Sequence, residues 1–300
     1  MNILNVTKFA SCLALSIALV SCGSSTNEAD DADALDTATS SEPKVKDVKA
    51  QNVFYSIPSP VETTTLLKAA GAKYNAKYLN PIENVSNYAS VASKALNLGV
   101  YGSDLSFTSI FDQTQESMLY LRCTNKLATG LGISGAFDET TTSRIESNMQ
   151  NRDSLLAIIS DSYWNADSYL KDNGQPGVSA LIVAGGWIEG LYIATQIANT
   201  TKNEGIITRI GEQKLSLDNL VALLDSYKDD NEGVTEVLKS MNELKAIFDK
   251  IPVTASETTT SVDKEKGVTT IGNGSSFKLT PEQLKQISDK SAEIRNKIIK

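Results

Sequence analysis

"AGGWIEGLYIA", residues 184–194, sets three glycines, a tryptophan and a lone glutamate inside an apolar run. A phosphate loop needs Lys and Ser/Thr directly after its glycines. Here the next lysine is Lys202, and no G-x-G-x-x-G spacing is present. A membrane span needs about 20 apolar residues, and this stretch is interrupted by Glu189 and followed by Gln196. What remains is a buried helix. Leu181, Ile182, Val183, Ile188, Leu191, Ile193 and Ile197 would lie on all its sides, the pattern of a helix packed all round. The expected fold is therefore mainly α: an antiparallel helical bundle built around this segment.

Glycine costs up to about 1 kcal/mol in a helix interior. Three of them imply that something approaches closely, either a neighbouring helix or a ligand. Glu189 keeps the ligand open. Gly185 and Gly186 stand one turn before it and Tyr192 one turn after. A carboxylate buried without a partner costs several kcal/mol or takes up a proton. Glu189 thus needs an Arg or Lys, a set of donors, or a ligand in a pocket around Trp187, Glu189 and Tyr192. A second candidate is "SDSYWNADSYL", where Asp161 and Trp164 share a polar face, as in sites that hold sugars or amines. In "LGVYGSDLSF", Tyr101, Ser103 and Asp104 beside Gly99 and Gly102 read as a helix break with Asp104 as cap.

Around the core segment, the chain punctuates itself into helices. Ser59, Pro60 and Glu62 form a capping box with proline in the first turn, and that helix should stop near Gly71. A second starts around Ser86, with Gly99 and Gly102 weakening its middle. Further helices are predicted at about 112–129, 138–172 in two pieces, 177–200, 204–213, 216–228 and 232–250. Residues 253–274 are β-branched on both sides of "DKEKG" and read as a hairpin. Thr280, Pro281 and Gln283 open a last helix. Hairpin and helix, 253–300, are expected as a small C-terminal appendage to a bundle domain of 51–252.

Composition excludes whole classes of chemistry. The chain has no histidine, so Ser-His-Asp and Cys-His triads and His-based zinc or di-iron sites are impossible within it. Its net charge is −8, and no basic block offsets this, which argues against nucleic acid. No metal ligand set and no cofactor is expected. Residues 23–50 are rich in Ser, Thr, Ala and Asp and nearly free of large apolar side chains. They cannot bury enough surface to fold and read as an acidic tether, the segment 22–50 with Cys22 at its head.

"FASCLALSIALVS", residues 9–21, is an apolar run too short for a permanent span and matches the core of a signal peptide. It ends in Leu19-Val20-Ser21-Cys22, which resembles the lipobox of bacterial lipoproteins. That resemblance implies removal of residues 1–21, a diacylglycerol on the Cys22 thiol and a third acyl chain on its amine. Each buried CH₂ of such chains adds about 0.8 kcal/mol of anchoring. Cys123 would then be alone in the mature chain, a packing residue rather than a nucleophile, since no histidine is there to activate it. The body ("LNLGVYGSDLS", "GGWIEGLYIATQI") resembles helical lipoproteins of Bacteroidota-type Gram-negative bacteria, which implies an envelope location and brings no catalytic residues. The functional expectation is a non-enzymatic binding or scaffold module, held at the outer membrane on its periplasmic or surface side. Its partners would be the membrane, through the N-terminal lipid, and an envelope protein or a small ligand. The alternative is a carboxylate-based enzyme or small-ligand receptor centred on Glu189.

Overall fold

The computed structural model describes residues 56–133, 139–148, 150–255, 260–263, 268–271 and 275–300. The signal segment, Cys22 and the tether lie outside the described residues. Helix α1 (Pro60–Ala69) starts as its capping box requires: Ser59 Oγ accepts from the Glu62 amide, and the Glu62 carboxylate accepts from the Ser59 amide. Two short 3₁₀ turns follow, Ala76–Tyr78 and Ile82–Ser86. Helix α2 (Val91–Ile110) is capped by Ser90, later than the start around Ser86 that the periodicity predicts. The "NPIENV" segment forms the tighter 3₁₀ turn instead, and Ser90 supplies the side-chain oxygen that a helix start needs.

Helix α3 is Thr114–Gly130, α4 Glu139–Ser147 and α5 Arg152–Asp172. The apolar segment becomes α6 (Pro176–Thr201), opened by Pro176 and ended by Lys202 in the left-handed conformation. Helix α7 (Glu204–Ser226) runs unbroken through 214–215, where two helices are predicted to part, and Phe277 packs on it at Gly211. Helix α8 is Glu232–Phe248. Four short strands follow, β1 (Val253–Ala255), β2 (Thr260–Asp263), β3 (Val268–Ile271) and β4 (Ser275–Phe277). They pair antiparallel, β1 with β4 and β2 with β3. Helix α9 (Pro281–Ile298) closes the chain on a second capping box, Thr280 with Gln283.

α6 is the centre of the bundle. Helices α1, α2, α5, α7, α8 and α9 all pack on it, and 94% of its most apolar 18-residue window is buried. By length and composition alone α6 is apolar enough to cross a membrane; the protein's own helices cover it instead. Sequence neighbours run antiparallel, with Ser109 beside Ser117 and Asp167 beside Ser179 at the α2–α3 and α5–α6 corners. α2 and α6, far apart in the chain, cross in the same sense, Leu96 meeting Gly185 and Ser103 meeting Gly190.

The glycines explain that crossing. A Cβ on Gly99 would stand 2.0 Å from the Ile182 carbonyl oxygen, and one on Gly185 would stand 1.9 Å from that of Leu96. Backbone meets backbone there. Gly186 faces Gly99 and Pro60, and Gly190 faces Thr63 of α1. The space left by the "AGGWIEG" glycines is thus filled by α1 and α2, not held open. α2 runs unbroken through Gly99 because the close contact offsets the helical cost of the glycine.

α9 does not stand apart with the strands. Leu284, Ile287, Ile294 and Ile298 are buried, and the helix packs on α6 and α8. The expected boundary at 252 therefore does not divide the core, because the apolar face of α9 requires the same partners as the other helices.

Gly102 is the contrast to Gly99. A Cβ there meets nothing within 4 Å, since it opens onto a cleft of about 40 Å³ lined by Leu98, Ile159, Tyr163 and Ile182. Gly102→Ala is expected to raise stability by about 0.5–1 kcal/mol, as alanine replaces glycine in a helix interior. Gly99→Ala and Gly185→Ala, which drive a methyl into backbone, should each lower it by more than that gain. Urea unfolding of the three variants checks the opposite signs.

Candidate functional site

The apolar face of α9 carries one charge. Arg295 follows Leu284, Ser288 and Ser291 at steps of three and four, so the same geometry that buries Ile294 turns Arg295 inward. There it meets Glu189 of α6, more than a hundred residues earlier in the chain. Arg295 Nε donates to Glu189 Oε2 at 2.7 Å and Nη2 donates to Oε1 at 2.8 Å, a two-toothed pair. Nη2 also donates to the Tyr78 carbonyl at 3.1 Å. The guanidinium lies 4.3 Å from the centre of the Tyr192 ring, which adds a cation–π contact. Glu189 is 0% exposed and Arg295 5%.

Asp104 of α2 completes the cluster and is also 0% exposed. Its Oδ2 accepts from the Asn80 amide at 3.1 Å. Asn80 in turn donates through Nδ2 to Tyr88 Oη at 3.0 Å, and its carbonyl accepts from Tyr120 at 3.1 Å. Tyr101 donates to the Pro81 carbonyl at 2.8 Å. Asn97 Nδ2 donates to the Ile298 carbonyl at 2.8 Å and Tyr88 Oη donates to that of Ile299 at 3.3 Å. A helix leaves its last carbonyls unpaired; these two side chains satisfy them at the end of α9. The 3₁₀ segment before α2 thus braces both Asp104 and the end of α9.

Electrostatics follow from burial. Desolvation, then the Glu189 charge, hold Asp104 well above the usual carboxylate range, against the pull of Arg295 and the Asn80 amide. For Arg295 burial works against the charge, yet Glu189, by charge and hydrogen bond, and then Asp104 raise it above its ordinary value. Tyr101 and Tyr120 are pushed up, first by burial. Cys123 is buried beside them, and desolvation raises its thiol to about 11. At neutral pH it is a thiol and not a nucleophile.

The residues singled out from sequence do not line one pocket. Glu189 and Tyr192 meet at Arg295, but Trp187 is buried toward α7, its Nε1–H donating to Ser216 Oγ at 3.0 Å. Asp161 is exposed on α5. Trp164 is half-buried, its ring edge-on to Tyr163 at 5.5 Å. Asp104 is not a cap at a helix break but a core group, because α2 does not break. Arg295 is the partner that sequence reasoning leaves unnamed, although its place on the apolar stripe of α9 marks it. A second inward acid was also missed: Asp167 of α5 takes Lys171 at 2.7 Å and Ser179 at 2.5 Å.

With both Glu189 oxygens occupied and no surface exposed, the cluster offers nothing to an external substrate. The arrangement is an ionic rivet between α6 and α9. No protein-family model, no curated protein and no solved structure matches the chain.

Removing one member of a buried ion pair leaves the other uncompensated, at about 3–5 kcal/mol. Arg295→Met is expected to destabilise the protein by that amount. Arg295→Lys should recover only part of it, because an ammonium cannot make the two-toothed contact. Urea unfolding of both variants at neutral pH is the check; equal stability of Lys and Met variants would show that the fork geometry contributes nothing.

Proposed function

We propose that this chain is a lipid-anchored lipoprotein of the cell envelope whose helical domain serves as a binding or scaffold module and performs no catalysis. One observation carries the non-catalytic part: Glu189, the acid that the sequence offers as a catalytic or ligand-holding group, is 0% exposed and engaged through both oxygens by Arg295. The glycines around it contact α1 and α2, which supports this reading over a receptor or enzyme centred on Trp187, Glu189 and Tyr192. The envelope part is supported by the lipobox-like Leu19-Val20-Ser21-Cys22 and by the acidic, low-apolar stretch after it. Acyl chains on Cys22 would hold the protein to the outer membrane, and residues 23–50 would separate the domain from the lipid surface.

Two measurements test this. Fractionation of cells expressing wild type or Cys22→Ser should find the first with the membranes and the second in the soluble fraction; a Cys22→Ser protein that still sediments with membranes rules out the acyl anchor. A thermal-shift screen of the full chain in detergent against sugars, peptidoglycan fragments, small amines and divalent cations should show no ligand whose stabilisation depends on Glu189. A ligand that stabilises wild type but not a folded Glu189→Gln variant would move the assignment to a receptor built on this cluster.

A further inference from the structure

Two carboxyl groups, Asp104 and Glu189, meet one guanidinium in a core where none of the three is more than 5% exposed. The hydrogen bonds around them can be counted. Both Glu189 oxygens accept from Arg295. Asp104 Oδ2 accepts from the Asn80 amide, while Oδ1 is buried with no N–H or O–H donor in reach. The charge of Glu189 acts on Asp104, and that of Arg295 opposes it. Ionised carboxylates only accept, so a bond between these two groups would require a proton on one of them, and the oxygen left without a partner is Asp104 Oδ1. The titratable and charged groups facing Asp104 are Glu189 of α6, Arg295 of α9, Tyr101 of α2, and Tyr120 and Cys123 of α3; Tyr88 and Tyr192 flank the ion pair. Arg295 is the cation in that set, and one cation balances one carboxylate.

We propose that Asp104 and Glu189 hold a single proton between them, carried on Asp104 Oδ1, and that this bound proton together with Arg295 seats the C-terminal helix in the bundle. The site is a buried proton-binding site, independent of the anchor reading. Its neutral acid donates to Glu189, leaves that group one negative charge, and so matches it to Arg295. Loss of the proton puts two negative charges against one positive charge inside the core, and the element bound by that charge is α9. The sign of the consequence is fixed. In the folded chain Asp104 keeps its proton well above the usual carboxylate range, whereas in the unfolded chain it ionises near pH 3.9, about the ordinary value for Asp. The native state therefore binds more protons as pH rises past that point, and stability falls until the folded group also ionises. Tyr88, Tyr101, Tyr120, Tyr163, Tyr192 and Cys123 shift upward from ordinary values that already lie above this window, and Glu243 and Glu293 shift downward, below it.

The test is urea unfolding of the full chain in detergent between pH 5 and pH 8, with Asp104→Asn beside wild type. An asparagine amide can donate to Glu189 where the acid did, and carries no titration. The unfolding constant of wild type should rise about tenfold per pH unit more steeply than that of Asp104→Asn, the slope of one proton. Identical slopes would overturn the proposal. Should Asp104→Asn not fold, infrared spectroscopy of wild type at neutral pH decides it: a protonated-carboxyl carbonyl band supports the shared proton, and its absence refutes it. Hydrogen exchange then tests the helix. Amides of α9 should lose protection relative to α3 as wild type is taken from pH 5 to pH 8; equal loss in both helices would overturn the link to α9.

Discussion

The crossing of α2 and α6 at Gly99 and Gly185 is the constraint on which the rest of the molecule depends. Two backbones approach until a single added Cβ at either position would fall about 2 Å from a carbonyl oxygen. An approach that close is available only to glycine, and only at one register. That register brings Ser103 opposite Gly190, in the turns of α2 and α6 that carry Asp104 and Glu189. Helix α1 then fills the groove beside Gly186 and Gly190 through Pro60 and Thr63. The glycine pattern is a packing code between helices that are distant in the chain, the same small-residue logic used wherever helices must approach closely.

The ionic cluster is a consequence of that register. Apolar packing alone tolerates several ways of laying α9 along the bundle. The fork of Arg295 on Glu189, with the Tyr192 ring beneath it, selects one of them. Asn97 and Tyr88 strengthen the choice by taking the terminal carbonyls of α9. A buried salt bridge is weak as a source of stability, because desolvation consumes most of its attraction. Its effect here is on uniqueness: any other seating of α9 strands a charge in the core. The neutral acid at Asp104 belongs to the same logic, since it provides hydrogen bonding without adding a second charge.

The apolar core and its ionic rivet are closed to solvent, and the lone described cysteine is buried beside them. The features that point to location, Cys22 and the acidic stretch after it, precede the folded domain in sequence.

By itself the sequence determined what is local. Capping boxes at Ser59 and Thr280, proline at helix starts and the apolar run of α6 are properties of neighbouring residues, so the helices, the α class and the central place of residues 181–197 were all legible. The need of Glu189 for a partner was legible too, because the cost of burying a lone carboxylate does not depend on topology. Which partner answered it was not. Arg295 stands more than a hundred residues away, and only the packing of α9 against α6 brings it there. Asp104 reads as a cap because, one helix at a time, glycines shortly before an acid signal a break; the tertiary contact at Gly99 keeps α2 whole and turns Asp104 into the core. At Gly211 of α7 the approaching group is likewise distant in the chain, Phe277 of β4. Glycine and charge are ambiguous locally, since each is defined by what approaches it, and that is decided only when the helices are assembled.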